Sequence, residues 1–425
     1  MVDHVERRSG AAREQVLAGE QRAVQLGTRE QIGHTGNLSG ATHARAQLNR
    51  ALLARQHLLE RRTGPALGMV DHLVGLQAQN AWSPYVGLWS RVAGFRTEEL
   101  AEAFWDRSVT RIAVMRSTIH LVTAADALLL PGLIAPLHAK DLLVNAQHSA
   151  ALRTLDVTEV TAAARALVEE EPRVTTELGR LLAQRWPDVA PSTLAYAARG
   201  TLPLVQVPPR GVWGRSGATT WTTAWTWFGP EQSAAAPDLT DPEVLAAEQE
   251  RFVRRYLAAF GPASVADLQS WSGLTGMRSV VDRLDLVRYR AEPSPGAVRE
   301  REVLDLPGLA LPDPDVPAPV RFLADYDNVL LGHADRTRII SPEHRPYLAS
   351  PNGVVPATFL LEGRVAGTWD VPRDPKLRGP VTLTVRPFAR PTAGQRDELQ
   401  EEAEALVQLM ASAADERRVV VVDPG

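Results

Sequence analysis

One pattern recurs three times along this chain and constrains it more than anything else. Two helix signatures and a shorter third helix are followed by an alternating strand, at intervals of about 80 residues. In the first round Leu48, Leu52 and Leu59 fall on one helical stripe, with the cation Arg55 at its centre. Gly64 and Pro65 stop that helix. A second starts at Pro65 and carries Leu67, Val70, Leu73, Val74 and Leu76. A third is predicted over 97–107, with Thr97 as N-cap and Glu98 and Glu99 facing the positive helix start. Residues 109–122 then alternate as a strand pair does. The second round has helices over 156–170, 175–186 and 191–199, the last capped by Gly200, then a strand at 204–207 and a wing at 208–213. The third has helices over 242–260, 264–270 and 276–284, and a strand beginning at 286–289. This is the element order of a winged helix. Such units often present their third helix to DNA and also serve as protein-packing modules, so the order alone does not choose between these uses.

The last quarter changes character. Residues 303–385 are rich in Pro and Gly, with short β runs at 320–323, 329–331, 358–361, 365–369 and 381–385. Strands at this spacing suggest a small barrel or sandwich. An amphipathic helix over 395–414 and a final apolar run at 419–422 close the chain. The first 45 residues show neither period and read as a disordered leader. The expected architecture is α+β, with tandem winged-helix domains followed by a small C-terminal β-barrel. Its parts are a leader at 1–45, winged helices at 46–150, 151–235 and 240–300, and a barrel-like domain with its closing helix at 301–425.

Composition narrows the chemistry. The chain of 425 residues has no cysteine, which excludes disulfides, thiol nucleophiles and cysteine-held metals. It has no apolar run long enough to span a membrane and no signal-peptide core at its start, so a cytoplasmic protein with no membrane partner is expected. The net charge of −4 argues against nucleic-acid binding by bulk charge. Of the 46 basic residues, however, only Lys140 and Lys376 are lysines. Codon bias in a GC-rich genome accounts for most of this. Arginine still offers a planar fork suited to phosphates and guanine edges, and clustering matters more than the total.

No P-loop, dinucleotide glycine fingerprint, zinc-protease helix or serine-hydrolase elbow occurs, and the ten histidines lack metal spacing, so neither metal nor cofactor is expected. What remains is the run Leu76-Gln77-Ala78-Gln79-Asn80-Ala81-Trp82-Ser83-Pro84. On a helix Gln77 and Gln79 would face opposite sides, whereas in an extended segment they share one. Pro84 pushes Ser83 away from helix. If the helix ends before Gln79, both amides converge on one site; otherwise the run is a polar helix end and a turn. Arg116, Thr118 and His120 share a strand face, either against phosphate or against solvent. Arg210 and Arg215 flank Trp213 in the second wing, and Arg278, Arg283 and Arg288 follow the third round's last helix. Arg336 and Arg338 sit between two β runs, where a hairpin tip could carry them into a groove. Arginines at equivalent places in three rounds favour DNA over a plain solvated surface.

Three stretches together resemble the winged-helix DNA glycosylases of the AlkZ/YcaQ type. They are Gly75-Leu76-Gln77-Ala78-Gln79, Met115-Arg116-Ser117-Thr118-Ile119-His120-Leu121-Val122 and Leu330-Leu331-Gly332-His333-Ala334-Asp335-Arg336. The resemblance covers about residues 46–415. It implies tandem winged helices ending in a small barrel, and excision of alkylated purines, including bulky adducts and crosslinks, from double-stranded DNA. That family carries Gln-x-Gln in its AlkZ branch, which protects antibiotic producers from their own DNA-alkylating products, and Gln-x-Asp in its YcaQ branch. The resemblance therefore implies Gln77 and Gln79 as the catalytic pair of a monofunctional glycosylase. Arg116, Thr118 and His120 would lie at phosphate beside the lesion, Asn80 would orient the glutamines or cap the helix, and Arg210, Arg215, Arg336 and Arg338 would contact DNA. No obligate protein partner is implied and a monomer is expected. The competing readings are a non-catalytic winged-helix regulator or damage sensor, and a scaffold whose winged helices bind proteins.

Overall fold

Arg55, the cation in an otherwise apolar helix stripe, is satisfied from the far side of the fold. Its guanidinium grips Asp305 through two hydrogen bonds of 2.7 Å and also donates to the Leu257 carbonyl. The computed structural model describes residues 42–296, 298–349, 353–372 and 379–424. Most of the proposed leader therefore lies outside the described residues. The segment Thr42–His43 already pairs in parallel with the strand Val287–Ala291, and the first helix runs Arg45–Arg55, so regular structure starts a few residues earlier than the sequence pattern suggests.

The fold is mixed α+β, with helices Ala66–His72, Thr97–Trp105, Val157–Glu170, Thr175–Ala183, Pro191–Thr201 and Pro242–Phe260 near their predicted places. Two caps differ. Arg96, not Thr97, holds the N-cap position of its helix, and Gly200 lies inside a helix that runs on to Thr201. The apolar helices Ala124–Leu133 and Ala135–Val144 were missed, because they show no amphipathic stripe. They meet at a bend, and among the described residues no single helix is long and apolar enough to cross a membrane.

The strands of the first two rounds do not form separate wings. They merge into one six-stranded sheet in the spatial order Leu76–Gln77, Ile119–Thr123, Val109–Ala113, Leu204–Gln206, Thr220–Thr223 and Arg173–Val174. The joint is the antiparallel pairing of Arg111 with Gln206 and Ile112 with Val205. The third round has its own sheet, formed by Val287–Ala291, Arg301–Asp305 and Thr42–His43.

The C-terminal region forms a five-stranded sheet in the order Arg321–Leu323, Thr358–Leu361, Arg364–Asp370, Pro380–Pro387 and Glu416–Val421. Among the described residues its two edge strands do not pair, so the expected barrel is an open sheet. The helix Ala393–Met410 covers one face, placing Leu399, Ala403, Leu406 and Val407 against Phe322, Phe359 and Leu383. With that face buried, closure is not needed to dry it. The expected β run at 329–331 is instead a helical turn, Asn328–Leu331, because the Asp327 side chain accepts from the Val329 N–H and starts it.

The helix Ser83–Trp89 joins the two halves. Its Tyr85 and Leu88 enter the main core while Val86 enters the C-terminal one. Just beyond it Arg91 binds Asp327 in a bidentate pair at 2.7 and 2.9 Å, fully enclosed on the arginine side. Removing one member leaves a buried charge alone. We expect Arg91→Met to cost about 3–5 kcal/mol in urea unfolding. A loss below about 1 kcal/mol, the worth of an exposed pair, would show that this ion pair does not lock the halves together.

Candidate active site

The glutamine run is extended, not helical. The preceding helix stops at His72, and Val74 and Gly75 take positive φ values of 55° and 96°. A Cβ at Gly75 would lie 2.8 Å from the Leu121 carbonyl oxygen, so the chain can turn here only with glycine. Leu76 and Gln77 then pair antiparallel with Leu121 and His120, and the Ala78 N–H donates to the Ile119 carbonyl at 2.8 Å. The extended backbone reaches Ala78, and Gln79 and Asn80 form a bend after it. Gln77 is 6% exposed and Gln79 is open to solvent.

Gln77 is held in place. Its Oε1 accepts from Arg116 Nη2 at 2.7 Å, and Arg116 Nη1 donates to the Trp271 carbonyl. The arginine sits in a tight turn, Met115–Ser117, where Arg116 and Ser117 both have φ near 55°. Burial lowers the Arg116 guanidinium to about 10, so it remains a cation at neutral pH. Thr118, half-buried, donates its hydroxyl to the Met115 carbonyl and tightens the turn.

His120 is not at the surface. It is 2% exposed and its Nδ1 lies 2.9 Å from the Thr118 carbonyl, to which it donates as the neutral ring. Burial, and then the Arg116 charge, push it down to about 3. In this position it offers a phosphate neither access nor charge.

The expected strand face shared by Arg116, Thr118 and His120 does not form, because Arg116 lies in the turn before the strand Ile119–Thr123; instead Arg116 and the buried His120 flank Gln77. Asn80 reaches the other way. Its Nδ2 donates to Asp325 Oδ2, and Ser83 Oγ donates to the other oxygen of the same carboxylate. Asn80 ties the ribbon to the C-terminal half and does not cap a helix.

Arg111 and Asp325 were missed by sequence reasoning. Arg111, 1% exposed, donates Nη2 to the Ala78 carbonyl at 2.6 Å, while its Nε and Nη1 have no hydrogen-bond partner. Burial, and then the charge of Arg210, lower it to about 10. A basic residue on a predicted strand facing the glutamines was the available signal. For Asp325 the signal was an acidic and amide run, Asp325-Tyr326-Asp327-Asn328, inside an apolar stretch. Each of its two acids and its amide reaches the segment 75–91, Asn328 through the Gly75 carbonyl.

The remaining candidates divide. Arg215 is exposed and Arg210 half-buried, the latter donating to the Gly217 carbonyl. The 333–338 segment is not a hairpin tip. Arg338 is 2% exposed and donates to the Pro262 carbonyl, and His333 is buried against the Phe260 carbonyl. Arg336 is half-buried, with burial and Arg345 lowering its pKa. The segment was misjudged because its neighbour at 329–331 is helical.

The family model described as DNA glycosylase AlkZ-like matches residues 70–409. An interstrand DNA cross-link repair glycosylase of Streptomyces sahachiroi is 25% identical over 333 residues, 75% of this chain and 85% of that relative. The solved structure of the Streptomyces sahachiroi DNA glycosylase AlkZ superposes with a TM-score of 0.70 at 20% identity, covering 90% of this chain and 100% of that one.

The neutral histidines make stability depend on pH. In the unfolded chain His120 takes up its proton near 6.5, and in the folded protein only near 3. Its contribution is complete above about 6.5 and is lost as pH falls toward 3. His333, also held below its ordinary value by burial and then by Arg338, acts in the same direction. We expect the unfolding free energy from urea titrations, and with it the midpoint, to fall between pH 7.5 and 5, the free energy by up to about 1.4 kcal/mol per pH unit for each ring. A midpoint that holds or rises over this interval would contradict neutral buried rings.

Proposed function

The chain belongs to the AlkZ-like DNA glycosylase family, and from that premise we propose that it hydrolyses the N-glycosidic bond of alkylated purines in duplex DNA, with Gln77 and Gln79 as its catalytic pair. The observation that carries this reading is the short strand on which Gln77 is fixed by Arg116 while Gln79, two residues on and past its end, is open to solvent.

Alkylation at N7 or N3 places a positive charge on the purine. When the C1′–N9 bond breaks, its electron pair returns to the ring and the base leaves neutral. Water then bonds to C1′ and releases a proton to solvent. The enzyme need not protonate the base. It must hold a water and tolerate an oxocarbenium-like sugar. An amide oxygen can accept from that water, and its dipole can face the cationic sugar. An amide is too weak a base to do more, so the pair works by positioning. Gln79 would hold the water, and Gln77, oriented by Arg116, would face the sugar. Amides cannot form a Schiff base with the opened sugar, which supports a monofunctional enzyme. Arg116 thereby serves Gln77 and not a phosphate.

We read the three helical rounds as winged helices and the C-terminal sheet as a half-barrel. The exposed Arg215 and the half-buried Arg210, Thr118 and Arg336 would supply contacts to the DNA backbone. The cross-link repair named for the Streptomyces sahachiroi relative supports including bulky and crosslinked purines among the substrates. Self-resistance to a DNA-alkylating antibiotic is a fitting setting, which a neighbouring biosynthetic gene cluster would support.

The test is release of abasic sites from an N7-methylated duplex. Gln79→Ala should lose about 10²–10³-fold in single-turnover rate, the scale of removing one preorganised polar group, with duplex affinity kept. Uracil should not be released, because it is a poor leaving group without protonation. Tight binding without release by the unaltered protein would favour the regulator instead.

A further inference from the structure

We propose that the aromatic cleft beside the glutamine ribbon is a receptor for the alkylated base as a cation, with Asp325 as its counter-ion. This rests on the glycosylase reading above and adds how damaged bases are told from undamaged ones.

The cleft has a volume of about 510 Å³, and Trp82, Tyr85, Trp213, Trp369, Asp325 and Arg215 are in its lining. Trp82 follows Gln79 by three residues, so one short segment carries both the glutamines and a wall of the cleft. The polar edges of two rings are spent inside the protein. The Tyr85 hydroxyl donates to the Gly211 carbonyl and accepts from the Trp213 backbone N–H, both at 2.9 Å. The indole N–H of Trp369 is shared between the Leu323 and Thr358 carbonyls. Trp82 packs edge-on to Trp369 at 6.0 Å, and Trp213 lies 4.7 Å from Tyr85. Trp82 and Trp213 are each half-buried.

The chemistry follows from what a quaternised purine nitrogen lacks. An alkylated N7 has neither a lone pair nor a hydrogen, so hydrogen bonding cannot read it. A flat cation is read by aromatic faces, whose quadrupole attracts it, and by a carboxylate. Asp325 supplies that carboxylate at only 5% exposure, oriented by Asn80 and Ser83. An undamaged purine is neutral and loses both attractions. The volume lies within the usual range for drug-sized ligands, about 300–1,000 Å³, and leaves room for a substituent on the ring.

The positive charge of the nucleotide is not lost on the way to the transition state; it moves from ring to sugar. A carboxylate beside the ring therefore selects the damaged base on binding and does not drive bond cleavage. Asp325→Asn should raise KM for an N7-methylated duplex by a larger factor than it lowers kcat, whereas mere loss of the Asn80 tie to the ribbon would fall mainly on kcat.

The direct test uses the full chain and two free bases that differ in charge: 7,9-dimethyladeninium, a permanent cation, and neutral 9-methyladenine. Titration by tryptophan fluorescence should show the cation binding about tenfold more tightly, the scale of a cation–π contact reinforced by a charged partner. Asp325→Asn should reduce that preference several-fold, leaving the part due to the aromatic faces. Trp213→Ala should weaken the cation several-fold and Trp213→Phe should restore it, which tests the cleft independently should the Asp325 variant fail to fold. Equal affinity for the two bases, or an unchanged preference in a folded Asp325→Asn protein, would overturn the proposal. Neither probe has a glycosidic bond to cleave. An active glycosylase without charge preference therefore refutes the receptor alone, whereas charge preference without abasic-site formation supports the receptor and refutes the glycosylase.

Discussion

A two-residue strand at a sheet edge cannot by itself hold a catalytic pair in register, and the structure depends on how that weakness is overcome. The ribbon at Gln77 gains only two paired positions from the sheet. Its placement comes from polar groups with few other uses. Arg116 holds the Gln77 side chain, Arg111 holds the backbone at Ala78, and Asp325, Asp327 and Asn328 hold the flanking segment from about 240 residues away in sequence. One of these groups is costly. Arg111 is a buried cation with two unpartnered nitrogens, and each such unmet donor costs about 1–3 kcal/mol. That cost sits beneath the one residue that separates the glutamines, where strain is most informative about function.

Much of this was legible in the sequence, and the parts that were not share a cause. Helical periods located the long helices because an amphipathic stripe is a local property. Pro84 suggested only that the second helix ends near it and left open whether that end precedes Gln79; the structure ends the helix at His72, with Val74 and Gly75 making a turn that the helical stripe through Val74 and Leu76 concealed. Failures arose where a distant partner decided the outcome. The apolar run at 329–331 was assigned to a strand because nothing local shows that Asp327 caps a helical turn there. His120 is buried where a phosphate-facing or solvent face is expected, because alternation says which residues share a face but not which face is buried, and Arg338 is buried because the expected hairpin does not form. In a sheet covered on both sides that distinction disappears, and the strand Val109–Ala113 is buried at all five positions.

The merging of two rounds into one sheet is also invisible to a repeat analysis. A repeat shows what each unit resembles, not whether its wing pairs with its own strand or its neighbour's. Here the pairing of Ile112 with Val205 couples them. The glutamine ribbon thus lies at one end of a six-stranded surface drawn from both rounds, and Arg210 of the second reaches the electrostatic environment of Arg111 in the first. The overall charge of −4 conceals this local concentration of positive charge.

The same arrangement explains why a site built from amides suffices. Arg116 stays cationic up to about 10 and His120 stays neutral down to about 3, so neither group flanking Gln77 changes charge across the physiological range. A glycosylase that had to protonate its leaving group would need an acid tuned near neutrality. One whose substrate already carries the charge needs a rigid frame and a way to recognise that charge. Arg111 and Arg116 provide rigidity on one side of the ribbon. On the other, Asp325 is fixed by Asn80, the residue next to Gln79, so any displacement of the catalytic ribbon also displaces the carboxylate beside the aromatic cleft. Under the proposed roles, recognition of the lesion and placement of the water become parts of one mechanical unit, and the glutamines need do no acid–base chemistry.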